Sequence, residues 1–290
     1  MHNLSQNTSG MVALTRVPSP EIGSCELTYL ARTPIDYCAA VQQHAAYVQT
    51  LRDLRLKVLD LSPLPELPDS TFVEDTALVL DEVAVLASPC RPRRSETESV
   101  RHLLSRYRQT AAIGMDARLE GGDVLRDGRT LYVGQSTRTD ANGLLSLRGA
   151  VSYYGYRVVP VQVRNCLHLS TAASCLERDT FLVNPDWIDT AGFAGKRLIK
   201  LPKEEPWAAN VLNVGGCIVL PSKFPRTSEL LDKLGYTICA VDVSELLKAE
   251  AGVSCMVLVF EGHPAVWSVD HDAAVPDTQS NRASVKSQQL

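Results

Sequence analysis

Apolar and polar positions along this chain follow two periods. Short apolar runs of strand length, TALVL and VAVLA, flank Asp81-Glu82 and predict a hairpin. The next segment, SETESVRHLLSRY, changes period. Val100, Leu103, Leu104 and Tyr107 recur at helical spacing, and Ser95 and Glu98 have the spacing of a capping box. LEGGDVL and TLYVG return to short strands around Asp127-Gly128, a dipeptide suited to a hairpin turn. Nearer the start, Tyr37, Val41, His44, Val48 and Leu51 keep helical spacing, with Pro34 suited to a first helical position. TSELLDKLG followed by YTICAVDV is another helix-to-strand unit.

This order repeats. A polar residue heads an apolar segment at Asp75, Glu120, His168, Asn210 and Cys255, at intervals of 45, 48, 42 and 45 residues. A second apolar strand follows the first four: VAVLA, TLYVG, TFLVN and CIVLP. MVLVF, after Cys255, lacks one, and the early MVALTRV can supply it by closing a ring. The period predicts an α/β fold of five modules, each a hairpin plus a helix, around a pseudo-fivefold axis. The five polar residues would then stand at one end of a central channel. A mixed α+β domain whose elements merely average that spacing is the plainer alternative.

With 290 residues, 45% hydrophobic and 21% charged, the chain can bury a sizeable core without disulfide support. A formal net charge of -4 argues against a nucleic acid or an anionic membrane as the main partner, but allows a small cationic ligand. No apolar run approaches the roughly 20 residues of a membrane span. MHNLSQNTSG lacks the basic start and apolar core of a signal peptide. Eight cysteines are scattered singly, without a CxxC pair or zinc spacing, which suits a reducing compartment and predicts a cytoplasmic location. Residues 1–10 and 263–290 are polar and aperiodic, reading as a disordered start and a flexible tail around one domain at 11–262.

Several segments carry candidate chemistry, and each has a bland reading when taken alone. PDSTFVEDTA holds Asp69, Glu74 and Asp75. Alternation in a strand would put Glu74 and Asp75 on opposite faces. Clustered carboxylates suit a planar guanidinium; the bland reading is a solvated acidic loop. In LEGGDVL, paired glycines permit close backbone approach and lead Glu120 into a sheet. A carboxylate there, beside a histidine, would favour its protonated form and fix its ring; alone, the motif is a turn with an exposed acid. His168, between two leucines, is either a core residue or an acid/base group tuned around neutrality. Cys255 follows a glycine turn and opens an apolar strand. It is a core thiol, or a nucleophile if a bound guanidinium and a protonated His168 supply positive charge. Arg91, Arg93 and Arg94 in CRPRRSETES and Arg138 in GQSTRTDANG are surface charge, or forks for a substrate carboxylate. No GxGxxG or P-loop occurs, so the paired glycines are not a nucleotide signal.

In their order and spacing PDSTFVEDTA, RRSETE, LEGGDVL, GQSTRT, LHL, AAN and GVSCM resemble the dimethylarginine dimethylaminohydrolases, over roughly residues 12–260. These belong to the guanidine-modifying superfamily with the arginine deiminases and amidinotransferases. The resemblance implies a five-module ββαβ propeller of pentein type, with its site in the central channel. It implies hydrolysis of asymmetric dimethylarginine and monomethylarginine to citrulline and methylamines through a thiouronium on cysteine. It also implies roles: Cys255 as nucleophile, His168 as acid/base and Glu120 as the carboxylate paired with it. Asp75 would grip the guanidinium with support from Glu74. Asp69 would lie nearer the α-ammonium, Arg93 and Arg138 would bind the α-carboxylate, and Leu27 would belong to a covering loop. The implied partner is a small guanidino substrate; no metal or organic cofactor is required, and a homodimer is left open. The covering loop PSPEIGSCELTYLART departs from the family's variants, which puts substrate size preference in question. Ser254 precedes the nucleophile, as in bacterial-type members, where animal members carry two adjacent cysteines. The C-terminal tail has no counterpart. An arginine deiminase, an amidino transfer to another amine, and a non-catalytic arginine-binding module are the alternatives. The joint presence of Cys255, His168 and Glu120 argues against the last.

Overall fold

Four times along the chain, a short apolar strand turns back on a second, and a crossover then brings a third strand parallel to the second; one further sheet of the same order joins the last described strand to the first two. The computed structural model describes residue 8 and residues 10–263, so nearly all of the start and tail expected to be unstructured lies outside the described residues. Strand β1 (Met11–Thr15) is followed by helix α1 (Tyr37–Asp53) and β2 (Lys57–Asp60). The second sheet holds β3 (Ala77–Val79), β4 (Val83–Leu86), helix α2 (Glu96–Leu104) and β5 (Gln109–Ala112). The third holds β6 (Val124–Asp127), β7 (Thr130–Gln135), helix α3 (Ala141–Ser152) and β8 (Arg157–Gln162). A short helix α4 (Leu169–Ala172) leads into β9 (Ala173–Glu177), β10 (Thr180–Val183) and β11 (Arg197–Lys200), whose crossover is only a 3-10 turn at Thr190–Phe193. The fifth sheet to form along the chain has β12 (Leu212–Val214), β13 (Cys217–Pro221), helix α5 (Pro225–Lys233) and β14 (Thr237–Val241). After a short helix α6 (Ser244–Leu247), β15 (Leu258–Glu261) pairs antiparallel with β1, which pairs parallel with β2. Chain end is thereby stitched to chain start, as the unpartnered MVLVF segment predicts.

Every sheet has the same sense: an antiparallel pair, then a parallel addition. Antiparallel neighbours need only a tight turn, whereas a parallel neighbour needs a crossover, and this is where the helices fall. At Asp127-Gly128 the tight turn uses a glycine at φ 59, a left-handed conformation that costs glycine little. The leading strands pack on one another, β6 on β9, β9 on β12 and β15 on β3. The helices cover the sheets with apolar faces: Leu144, Leu147 and Val151 of α3 close over Val83, Val85, Leu131 and Val133. Fully burying such a side chain contributes roughly 1.5–3 kcal/mol. Among the described residues no helix is long and apolar enough to cross a membrane.

Three local expectations are corrected. The strand expected at Glu74-Asp75 is a 3-10 turn, Val73–Thr76, so the two acids are not split across a sheet. Asp75 is deeply buried. Ser95 does not cap α2: the chain enters from a 3-10 turn at Arg91–Arg93 and Ser95 is already helical, with no side-chain cap bond. Helix α1 is capped by Asp36, which accepts from Ala39 N–H at 3.1 Å, rather than opened by Pro34.

Candidate active site

Each of the five polar segment heads falls just ahead of the leading strand of a sheet. Asp75 lies in the turn before β3, Glu120 before β6, His168 before β9, Asn210 before β12 and Cys255 before β15. Hydrogen bonds between these heads tie them into one cluster. Glu74 N–H donates to the Cys255 carbonyl at 3.1 Å, and Gly122 N–H donates to Asp75 Oδ1 at 3.1 Å. Gly122 is glycine for a reason of space: a Cβ there would lie 2.8 Å from Asp75 Oδ1 and 2.9 Å from His168 Nδ1.

The floor is an ionic network. Arg93, 4% exposed, places Nη1 2.7 Å from Asp75 Oδ2 and 4.0 Å from Glu120. Its Nε and Nη2 bind Glu96, and Nη2 also donates to the carbonyls of Asp69 and Phe72 at 3.3 and 3.2 Å. Glu120 Oε2 lies 2.7 Å from His168 Nε2. Burial alone would lower the His168 pKa, but the charges of Asp75, Glu120 and Asp123 and the Glu120 bond hold it up at about 9. Burial alone would raise Glu120; the hydrogen bond and charge of His168, with Arg93 and Arg138, hold it down at about 2. The result is an imidazolium locked against a carboxylate. Asp75, Glu120 and His168 offer ligand atoms within 4.8 Å of one another, the spread of a metal site. Here Arg93 already supplies a cation to its two carboxylates.

Cys255 is buried in the turn ahead of β15. Gly252 N–H points at its sulfur at 3.3 Å, and Asn210 Nδ2 lies at 3.8 Å. Asn210 also donates to Ser254 Oγ at 2.9 Å and accepts from Ser254 N–H at 3.0 Å, which fixes the turn that carries the thiol. Tyr47 of α1 braces the same turn through the Val253 carbonyl at 2.7 Å. Glu74 Oε2 accepts from Ser254 Oγ at 3.0 Å, the neighbour that precedes the thiol. Burial pushes the thiol well above its ordinary pKa, and Glu74 and Asp75 push it further. Burial and the neighbouring Asp75 raise Glu74 to about 7. Without an added cation the thiol is therefore protonated at neutral pH.

The mouth holds the rest. Asp69 is buried and accepts from Glu26 N–H at 3.3 Å. Leu27, on the same segment, packs against the apolar cluster that contains Cys255. Arg138 lies 3.7 Å from Glu120 and 2.5 Å from Glu26. The nine residues singled out by the sequence thus fall in one region, but Arg93 and Arg138 differ sharply. Arg93 lies beneath the site with its donors engaged, rather than at the mouth as an open fork.

The sequence pattern marks Asn210 only as a segment head and passes over Asp123, Glu26 and Glu250. Asp123 accepts from Leu169 N–H at 2.9 Å and from Ser136 Oγ at 2.6 Å, anchoring α4 directly after His168. Its place behind the paired glycines of LEGGDVL was a usable signal. Glu250 accepts from the backbone of Thr28, Tyr29 and Leu30 and pins that segment. Neither it nor Glu26 lies in a periodic element.

Residues 34–260 match the family model described as N,N dimethylarginine dimethylhydrolase, eukaryotic. The chain is 35% identical over 247 residues to the N(G),N(G)-dimethylarginine dimethylaminohydrolase of Streptomyces coelicolor, covering 84% of this chain and 95% of that one. It is 33% identical over 228 residues to the Pseudomonas aeruginosa enzyme of the same name, covering 78% and 90%. A solved Pseudomonas aeruginosa structure, a cysteine-to-serine mutant complexed with citrulline, superposes with TM-score 0.80 at 31% identity, over 86% of this chain and 98% of that one.

Proposed function

The chain belongs to the dimethylarginine dimethylaminohydrolase family, and on that premise we propose that it hydrolyses asymmetric dimethylarginine and monomethylarginine to citrulline and methylamines through a covalent adduct on Cys255. One observation carries the assignment of roles. A buried thiol and a buried imidazolium–carboxylate pair both feel the charges of Glu74 and Asp75, and the thiol is held protonated for want of positive charge. A guanidinium is the missing charge.

The substrate enters as a cation. Each carboxylate oxygen of Asp75 has one protein donor, Arg93 or Gly122, and keeps capacity for a second. Asp75 can therefore hold the guanidinium in plane while Arg93 and Gly122 hold Asp75. The arriving charge offsets Glu74 and Asp75 and lowers the thiol pKa. Glu74, at about 7 and near enough for its charge to raise the thiol pKa, is placed to receive its proton. Sulfur attacks the guanidinium carbon, and His168, protonated below about 9, donates to the departing amine. Such general acid catalysis contributes roughly 10²–10⁴-fold. Neutral His168 then takes a proton from water, which attacks the same carbon and releases citrulline and thiol. Glu120 remains an anion throughout and orients the ring. Asp69 receives the α-ammonium and Arg138 the α-carboxylate, with Leu27 and its neighbours covering them.

The architecture proposed for this chemistry is a propeller. The five sheets are blades around a pseudo-fivefold axis, residues 11–262 form one catalytic domain, and the segment heads crown the central channel. Eight cysteines, all without disulfides, suit work in the cytoplasm.

Purified enzyme is to be given asymmetric dimethylarginine, monomethylarginine or arginine, with citrulline and released amine measured. The expected result is citrulline from both methylated substrates, little from arginine, and none with Cys255→Ser. Preference for arginine would move the protein to the deiminases. Sustained turnover by Cys255→Ser would remove the covalent scheme.

A further inference from the structure

The covering segment meets the site through a side chain that the mechanism above does not use. Glu26 closes on Arg138 at 2.5 Å. Its Oε2 also accepts from the Cys90 thiol at 3.2 Å, and Arg138 Nη1 lies 3.3 Å from the same sulfur. Burial alone would raise the Glu26 pKa, but the bonds from Cys90 and Arg138 outweigh it and hold the carboxyl below its ordinary value. Glu26 is thus a standing anion on the guanidinium assigned to the substrate's α-carboxylate. Arg93 offers no alternative seat, being enclosed by Asp75, Glu96 and two carbonyls.

The pair is exchangeable by construction. Glu26 is 36% exposed and Arg138 10%. The segment is held independently of it, by Glu250 on the amides of Thr28, Tyr29 and Leu30, and by Arg32 on the carbonyls of Gly23 and Cys25. Glu26 can therefore leave Arg138 without releasing the segment.

We propose that Glu26 is a built-in surrogate for the substrate's α-carboxylate: it neutralises Arg138 in the empty site, must be displaced there by an incoming amino acid, and so sets the preference between guanidines with and without a carboxylate. The proposal rests on the reading of Arg138 as the carboxylate seat. No bond is made or broken in the exchange; one carboxylate replaces another on the same donors. Selectivity is a difference of two affinities, and an internal competitor taxes only the ligand that needs the occupied donors.

The test compares KM for monomethylarginine with the competitive Ki of its decarboxylated amine analogue, in wild type, Glu26→Gln and Arg138→Gln. A ratio is read because any contact of Glu26 with the ammonium common to both ligands cancels. In Glu26→Gln the preference for the carboxylate-bearing ligand is expected to rise roughly tenfold, the equivalent of one lost charge-assisted contact to the competitor. In Arg138→Gln the preference should collapse. An unchanged or lower preference in Glu26→Gln, with Arg138→Gln behaving as expected, overturns the surrogate. An unchanged preference in Arg138→Gln instead overturns the reading of Arg138 and the proposal with it. Glu26 lies on a partly exposed loop, so its variant should keep the wild-type melting temperature, which is to be checked alongside.

Discussion

Arg93 at the floor of the site and Arg138 at its mouth are both arginines facing Glu120, yet their surroundings differ. Arg93 is enclosed, with partners on all three nitrogens: two carboxylates and two main-chain carbonyls. Arg138 has a partly exposed loop carboxylate and a thiol. The difference separates two kinds of electrostatic work. A buried guanidinium with a partner on every nitrogen is poorly placed to trade them, so it is part of the scaffold that positions Asp75, Glu96 and Glu120. A guanidinium whose carboxylate partner is itself partly exposed can trade one carboxylate for another, so it can recognise. Charge at the floor is fixed before substrate arrives; charge at the mouth is negotiated with it.

Breaking the floor should have the largest effect. Replacing Arg93 by Met keeps most of the volume but leaves three buried carboxylates facing one another. Removing one partner of a buried ion network typically costs about 3–5 kcal/mol, a large share of a domain's stability. Urea unfolding of Arg93→Met should show a loss of that order, with turnover largely gone. If instead the variant folds with near wild-type stability and only KM rises, Arg93 belongs with Arg138 as a recognition residue and the contrast dissolves.

Breaking the mouth should be gentler and of another kind. Arg138→Gln should raise KM for monomethylarginine by roughly 10–100-fold, the value of a charge-assisted hydrogen bond, with kcat changed far less. Its unfolding midpoint should move little, because partly exposed ion pairs contribute at most about 1 kcal/mol. A kcat loss as large as the KM rise would show that Arg138 supports Glu120 and His168 through the 3.7 Å contact rather than binding substrate.

The same division explains what the sequence reveals. The heads Asp75, Glu120, His168, Asn210 and Cys255 are legible because each opens an apolar strand, and burial of an acid or a thiol ahead of a strand leaves a periodic trace. The closure of β15 on β1 is legible because one apolar segment lacks a partner. What is not legible is conformation decided by tertiary partners. The Val73–Thr76 turn keeps both acids from alternating, because Glu74 is drawn to Ser254 and Asp75 to Arg93 and Gly122. Arg93, in a run with Arg91 and Arg94, has no local feature to distinguish it as the buried one. Glu26 and Glu250 lie in irregular segments where no period exists to be read.

Glu74 provides the finest test, because it belongs to the wall between floor and mouth and its charge is the one that changes near neutrality. Burial raises its pKa from 4.5 to about 7. The folded state then binds its proton more tightly than the unfolded state, so this group's stabilisation is complete below about 4.5 and is lost as pH rises through 7. Between pH 6 and 8 the loss amounts to about 1 kcal/mol. Asp123, raised by burial to about 6, and His168, held at about 9, also lose stabilisation as pH rises, but both remain in Glu74→Gln. Subtracting the two unfolding curves therefore isolates Glu74. The Gln variant should gain on wild type from pH 6 to 8 by about that amount and then level off. A difference constant across the range would mean that Glu74 is already ionised in the folded protein and is held by the Ser254 bond rather than opposed by burial. It could not then take the thiol proton at neutral pH, and that step would pass to the substrate or to water.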